Sequence, residues 1–194
     1  METIFKKHYP EGDIQEINRS EIPINIINSF EDRNTLFIDS KKCKIGNFEK
    51  YFVINQPNNQ KTYLAQTTKQ YYTNNDIEKL TYFMTIDKDG NNINHAELRL
   101  NIKCQEKDLP FFKNKPFFDW IITNDKLQKR GLTTKMLKMM NAYSHMLYNL
   151  PLYSDTIISP KMENLLQKLV KEGKAKKFLE KEETYLSNRY KICF

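Results

Sequence analysis

Two alternating runs flanking an Asp-Gly pair restrict this chain more than any other stretch. Leu80, Tyr82, Met84 and Ile86 recur at every second position, and so do Ala96, Leu98, Leu100 and Ile102. A period of two puts each set on one face of an extended strand. Asp89-Gly90 lies between the runs and supplies the backbone freedom of a tight reversal. The pattern predicts an antiparallel hairpin. Three earlier short runs, Thr35–Asp39, Tyr51–Ile54 and Thr62–Ala65, enlarge it into a meander, with a turn at Asn55–Asn59.

The texture changes after Pro110. Phe117–Ile122 is apolar at both parities, which predicts an inner strand covered on both sides. A helix is expected from about Thr133 to Tyr148, with Leu132, Met136, Met140, Tyr143 and Leu147 on one stripe. Leu150–Tyr153 reads as a short strand. Ser159-Pro160 then opens a well-signed helix that closes at Gly173 and buries Met162, Leu165, Leu166, Leu169 and Val170. From Ala175 to Phe194 the chain predicts a final hairpin. Residues 1–34 carry scattered isoleucines interrupted by Pro23 and are expected to form a helical or irregular extension. The fold class is therefore α+β: a mixed central sheet with an antiparallel meander, a parallel crossover and flanking helices, occupying residues 35–194.

Composition narrows the setting. The aromatic fraction of 12% supplies material for a core despite a mean hydropathy of -0.71. No apolar run approaches the ~20 residues of a membrane span, and no signal-peptide core follows Met1. A cytoplasmic location is expected, in keeping with three cysteines (Cys43, Cys104, Cys193) that form no CxxC pair. No Cys or His pair has zinc-ligand spacing, so no metal site is expected. A net charge of +7 suits an anionic ligand.

The chemistry concentrates at Gln128-Lys129-Arg130-Gly131-Leu132-Thr133-Thr134-Lys135, between the inner strand and the helix. A chain with only five glycines places one where the backbone needs freedom or close approach. Cations and hydroxyls surround Gly131 just where a helix exposes its first amides and the positive end of its dipole. That is the composition of a phosphate-holding turn. The same residues also fit a plain strand-to-helix turn with no ligand.

Gln128, Gly131 and their setting resemble the acyl-CoA signature of the GCN5-related N-acetyltransferase (GNAT) superfamily. That signature is Gln or Arg, two residues, Gly, one residue, then Gly or Ala. Thr133 departs at the last position. Pro151–Ser159, with Leu166, Leu169, Gly173, Ala175 and Phe178, is similar to the fifth strand and fourth helix of a GNAT-like group found in phages and bacteria. The resemblance implies a GNAT-like domain whose acyl-CoA half is 117–194, in a bacterial or phage-infected cell. It implies acetyl-CoA or another acyl-CoA as co-substrate, held by Trp120, Ile121, Ile122, Gln128, Lys129, Arg130, Gly131, Leu132, Thr133, Thr134 and Lys135. The open edge of Trp120–Ile122 would pair with the pantetheine amides, and the N–H near Ile122 would stabilise the oxyanion. Transfer would go to an amine of a protein, a small molecule or a nucleotide. The helix Lys161–Glu172 lacks the tyrosine acid of many family members, which leaves Tyr153, Ser154 and Ser159 as acid candidates. Asp155 and Glu97 could accept a proton through water. Two other readings stay open: a non-catalytic protein that keeps the fold, and a basic nucleic-acid-binding protein whose residues 128–135 hold backbone phosphate.

Overall fold

The computed structural model describes residues 2–38, 43–71, 77–103, 114–128, 130–155, 159–181 and 186–194. In chain order the elements are α1 (Glu2–His8), β1 (Asp13–Ile17), α2 (Ile24–Ile38), β2 (Cys43–Ile45), β3 (Lys50–Asn55), β4 (Lys61–Tyr71), β5 (Ile77–Ile86), β6 (Asn92–Lys103), β7 (Pro116–Thr123), α3 (Leu132–Tyr148), β8 (Tyr153–Ser154), α4 (Pro160–Lys171), β9 (Ala175–Lys181) and β10 (Leu186–Ile192). Among the described residues ten strands join one sheet in the order β1-β3-β4-β5-β6-β7-β8-β10-β9, with β2 also against β4. The contact of β7 with β8 is parallel; every other strand pairing is antiparallel.

The predicted hairpin is β5–β6. At its tip the Asp87 carboxylate accepts from the amides of Asp89 and Asn91, both at 2.9 Å, and Gly90 takes φ 83°. Register places Phe83 beside Ala96 and Tyr82 beside Glu97. The two apolar sets therefore land on opposite faces of the sheet. On one face Phe83, Ala96, Leu98 and Phe118 meet α1, α3 and α4 through Phe5, Met136, Met140, Tyr143, Leu166 and Leu169. On the other, Leu80, Tyr82 and Met84 meet Ile26, Ile27 and Phe30 of α2. Apolar surface buried on two faces, at about 25 cal/mol per Å2, is the main favourable term for a sheet of this kind.

Three expectations are corrected. Residues 35–38 are the last turn of α2, not a strand. The helix starts where the Pro23 carbonyl accepts from the amides of Ile26 and Ile27, at 2.9 and 3.2 Å. It then runs on because its apolar positions pack on the sheet, overriding the local strand propensity of Thr35–Ile38. The segment expected as an extension contributes to the sheet and its core: Phe5 and Tyr9 are fully buried, and β1 pairs with β3 from Asp13–Asn55 to Ile17–Tyr51. The short strand expected at Leu150–Tyr153 is instead Tyr153–Ser154. Pro151 has no N–H, and the Leu152 N–H donates to Asn141 Oδ1 at 3.0 Å.

The C-terminal half follows its signals closely. Ser159 Oγ accepts from the Met162 amide at 3.2 Å with Pro160 at the first helical position, and Gly173 closes α4 at φ 71°. The hairpin β9–β10 ends the sheet, and Ala175, Tyr190 and Ile192 enter the first core.

Candidate functional site

Among the described residues the sheet forks between β7 and β8: the two strands are in register at Phe117–Tyr153 and Phe118–Ser154, while β7 runs on to Thr123 against β6. A bulge accompanies the fork. Glu97 pairs with Trp120 and Leu98 with Phe118, so Asp119 is an extra residue, and such an insertion bends a strand and sharpens its twist. Asn124 N–H donates to Ile93 O at 3.0 Å. Strand alternation then turns the peptide groups of Ile121 and Thr123 away from β6, and that of Ile122 toward it.

Gly131 links this open edge to α3. Its φ of 74° and ψ of 6° are left-handed, and a Cβ built there would meet nothing within 4 Å. The positive φ, not crowding, selects glycine. The Lys135 N–H donates to Gly131 O at 3.0 Å, and no side chain caps the helix. Among the described residues no group accepts from the amides of Leu132, Thr133 or Thr134. They point, with the positive end of the dipole, into a cleft of about 540 Å3. Its walls are Ile121 and Thr123 of β7, the turn Gln128 and Gly131–Thr134, and Ser159, Lys161, Met162 and Leu165 at the start of α4. A second hollow of about 400 Å3 lies on the other side of Gly131 and Thr134, with Lys135, Lys138, Lys168 and Lys174 facing Glu11 and Glu172.

The structure sorts the expected residues. Ile121, Gln128, Gly131, Leu132, Thr133 and Thr134 line the cleft. Thr133 Oγ1 lies 3.1 Å from Thr123 Oγ1, so its branched side chain is tied to the strand. Lys135 belongs to the adjoining hollow, where its Nζ donates to Gln60 at 3.2 Å and burial lowers its pKa. Arg130 is exposed, and Lys129 lies outside the described residues. Trp120 and Ile122 project from the opposite face of the sheet, beside Glu97 and His95. The Ile122 N–H, expected to face an oxyanion, is turned toward β6 by the bulge and register, whereas those of Ile121 and Thr123 face away from it.

The four candidate catalytic residues stand at the fork with other tasks. Ser154 is buried and its Oγ accepts from the Tyr190 amide at 3.0 Å. Ser159 caps α4. Asp155 lies 3.6 Å from Arg189 Nη1. Tyr153, whose pKa burial raises, lies under Lys115 Nζ at 5.7 Å from the ring centroid.

A charge cluster that sequence reading barely touched occupies the face opposite α3. Arg99 Nε donates to Glu97 Oε1 at 2.6 Å and its Nη2 to Asp119 Oδ2 at 2.7 Å, with Glu78 Oε2 at 3.9 Å. The Glu97 side chain is 0% exposed, and among the described residues its Oε2 has no hydrogen-bond partner. Burial raises the Glu97 pKa against the opposing pull of Arg99, and burial together with neighbouring Asp155 raises that of Asp119. The available signal was Glu97 and Arg99 at one parity of β6, opposite Ala96 and Leu98, and one acid, Asp119, inside the apolar run of β7. Among the described residues no group of three or more His, Cys, Asp or Glu side chains is arranged to hold a metal ion.

No helix among the described residues is long and apolar enough to cross a membrane. No protein-family model, curated protein or solved structure matches the chain.

Proposed function

We propose that the protein is an acyl-CoA-dependent N-acyltransferase, with acetyl-CoA the first co-substrate to test. The observation that carries this reading is the cleft at the fork, where, among the described residues, three helix amides without acceptors face a strand edge without a partner. A diphosphate fits the amides of Leu132–Thr134, since anions are favoured at a helix N-terminus and backbone donors need no side-chain reorganisation. An extended amide-bearing arm fits the peptide groups of Ile121 and Thr123, as an added strand fits a sheet edge. The thioester carbonyl would then lie where one of those N–H groups can receive developing negative charge. The neutral amine reaches the same edge and attacks the thioester carbonyl. The C–N bond forms, the C–S bond breaks, and CoA leaves as a thiolate that takes up a proton from solvent while the amine nitrogen loses one to solvent or to a carboxylate.

The test is a thermal shift with acetyl-CoA, since a ligand bound only to the native state raises Tm. Gly131→Glu should abolish the shift by placing an acid and a strained φ among the free amides. Normal binding by that variant would move the site elsewhere. The engagement of Ser154, Ser159 and Asp155 favours a second reading, a CoA-binding protein without turnover. Free-thiol release with candidate amines separates the two.

A further inference from the structure

Opposite the cleft, through the same strand, Trp120 lies under a cation supplied by the chain itself. The Arg33 guanidinium carbon of α2 is 4.5 Å from the Trp120 ring centroid, and the His95 ring meets the same indole edge-on at 5.3 Å. Glu97 is the cross-strand neighbour of Trp120, fully buried, with Oε2 unpartnered among the described residues. Its carboxylate acts on the charge of Arg33, as does Tyr82. Beyond Trp120, Ile122 on the same face is 51% exposed, so the face opens to solvent there. An indole face beside a buried carboxylate oxygen attracts a cation with an aliphatic stem, and Arg33 meets that description from within.

We infer that Trp120, His95 and Glu97 form a binding site for an aliphatic ammonium ion, which Arg33 occupies in the free protein and vacates when the ligand enters. The site rests on the acyltransferase reading only in one respect: there the bound ammonium, after losing a proton to solvent, is the amine acceptor, reaching β7 from the face opposite the acyl-CoA cleft. The strand edge at Ile121–Thr123 is common to both faces, so donor and acceptor would meet across it without sharing a pocket. His95 suits the role because burial, with Arg33 nearby, depresses its pKa to about 4, leaving the ring neutral beside an arriving cation. Occupation by Arg33 also makes α2 a selective cover, since a neutral ligand gains nothing from displacing it.

Trp120 is the only tryptophan in the chain, so tryptophan emission reports on this site alone. The experiment titrates 1,5-diaminopentane, and 1,5-pentanediol as the neutral control, at constant ionic strength and without any CoA. Arg33→Ala should give a saturable emission change with an apparent Kd at least about tenfold below that of the intact protein, the size expected when a competing cation–π partner is removed. Adding Glu97→Gln in that background should weaken binding again by at least about tenfold. The diol should give no saturable change. Equal affinities with and without Arg33, an equal response to the diol, or indifference to Glu97→Gln would each overturn the inference. Arg33→Met, which keeps the apolar stem, repeats the test, and melting curves accompany every variant so that only folded protein is titrated. The acetyl-CoA shift fails or succeeds independently of this titration, so the two readings fall separately.

Discussion

Replacing Arg99 by Met keeps the apolar stem and removes the guanidinium that joins Glu97, Asp119 and Glu78. Arg99 donates at 2.6 and 2.7 Å to two carboxylates, one of them wholly buried. Breaking a buried pair by deleting one partner costs about 3–5 kcal/mol, because the remaining charge has lost its compensation. For a chain of this length each kcal/mol moves Tm by about 2–4 °C, so a fall of about 6–20 °C is expected near neutral pH. The loss should depend on pH. The folded pKa of Glu97 already lies above its unfolded value through burial, and Arg99 is the group that holds it down. Without Arg99 it rises further. Folding then favours the protonated carboxyl, so the stability of the variant is best below the unfolded pKa and is lost as pH rises through the folded one. Urea denaturation at pH 5 and pH 7.5 measures both quantities. The deficit relative to the unsubstituted protein should be smaller at pH 5. A deficit below about 1 kcal/mol at pH 7.5, or one that does not shrink on acidification, would refute the assignment of a buried charge cluster.

Four further outcomes are expected. Gly131→Ala should cost about 1–2 kcal/mol by calorimetry for its left-handed φ alone, since space for a Cβ is open, and should leave the fold intact. Ser159→Ala should lower stability by about 1 kcal/mol in a denaturant titration by removing the cap of α4. Leu166→Ala should cost about 2–5 kcal/mol in the same measurement by opening a cavity in the core shared by α3, α4 and the sheet. His95 has a folded pKa near 4, below its unfolded value, so its contribution is present above pH ~6.5 and lost as pH falls toward 4. His95→Gln should flatten the stability–pH curve in that window.

Local chemistry made the C-terminal half legible. Gly131, Ser159-Pro160 and Gly173 each act within one turn of themselves, and the helices stand where these residues put them. The β5–β6 hairpin was legible for the same reason. What the alternation could not convey was that its two apolar sets serve different cores, because that depends on register, and register is fixed by partners distant in sequence. Thr35–Ile38 illustrates the opposite case, in which packing of Ile26, Ile27 and Phe30 carries a helix through residues that prefer strands. At the site, the turn around Gly131 could be read directly, whereas the separation of Trp120 and Ile122 from Ile121 and Thr123 could not. Parity past residue 119 depends on a one-residue bulge that leaves no signature in composition. Arg99 and Asp119 were illegible as partners because 20 residues separate them along the chain.

The brevity of β8 has a mechanical consequence. Among the described residues, backbone bonding between the seven-strand wing that ends at β7 and the three-strand wing β8-β10-β9 rests on a contact two residues long. Continuity across that seam depends on side chains such as Phe118, Leu152 and Tyr190 and on the helices laid over them. Small rotations of one wing against the other can therefore widen or narrow the gap without breaking a ladder within either wing. Amide deuteration should reach Tyr153 and Ser154 well before it reaches the middle of β5, as expected of a molecule that yields along one line and stays rigid on both sides of it.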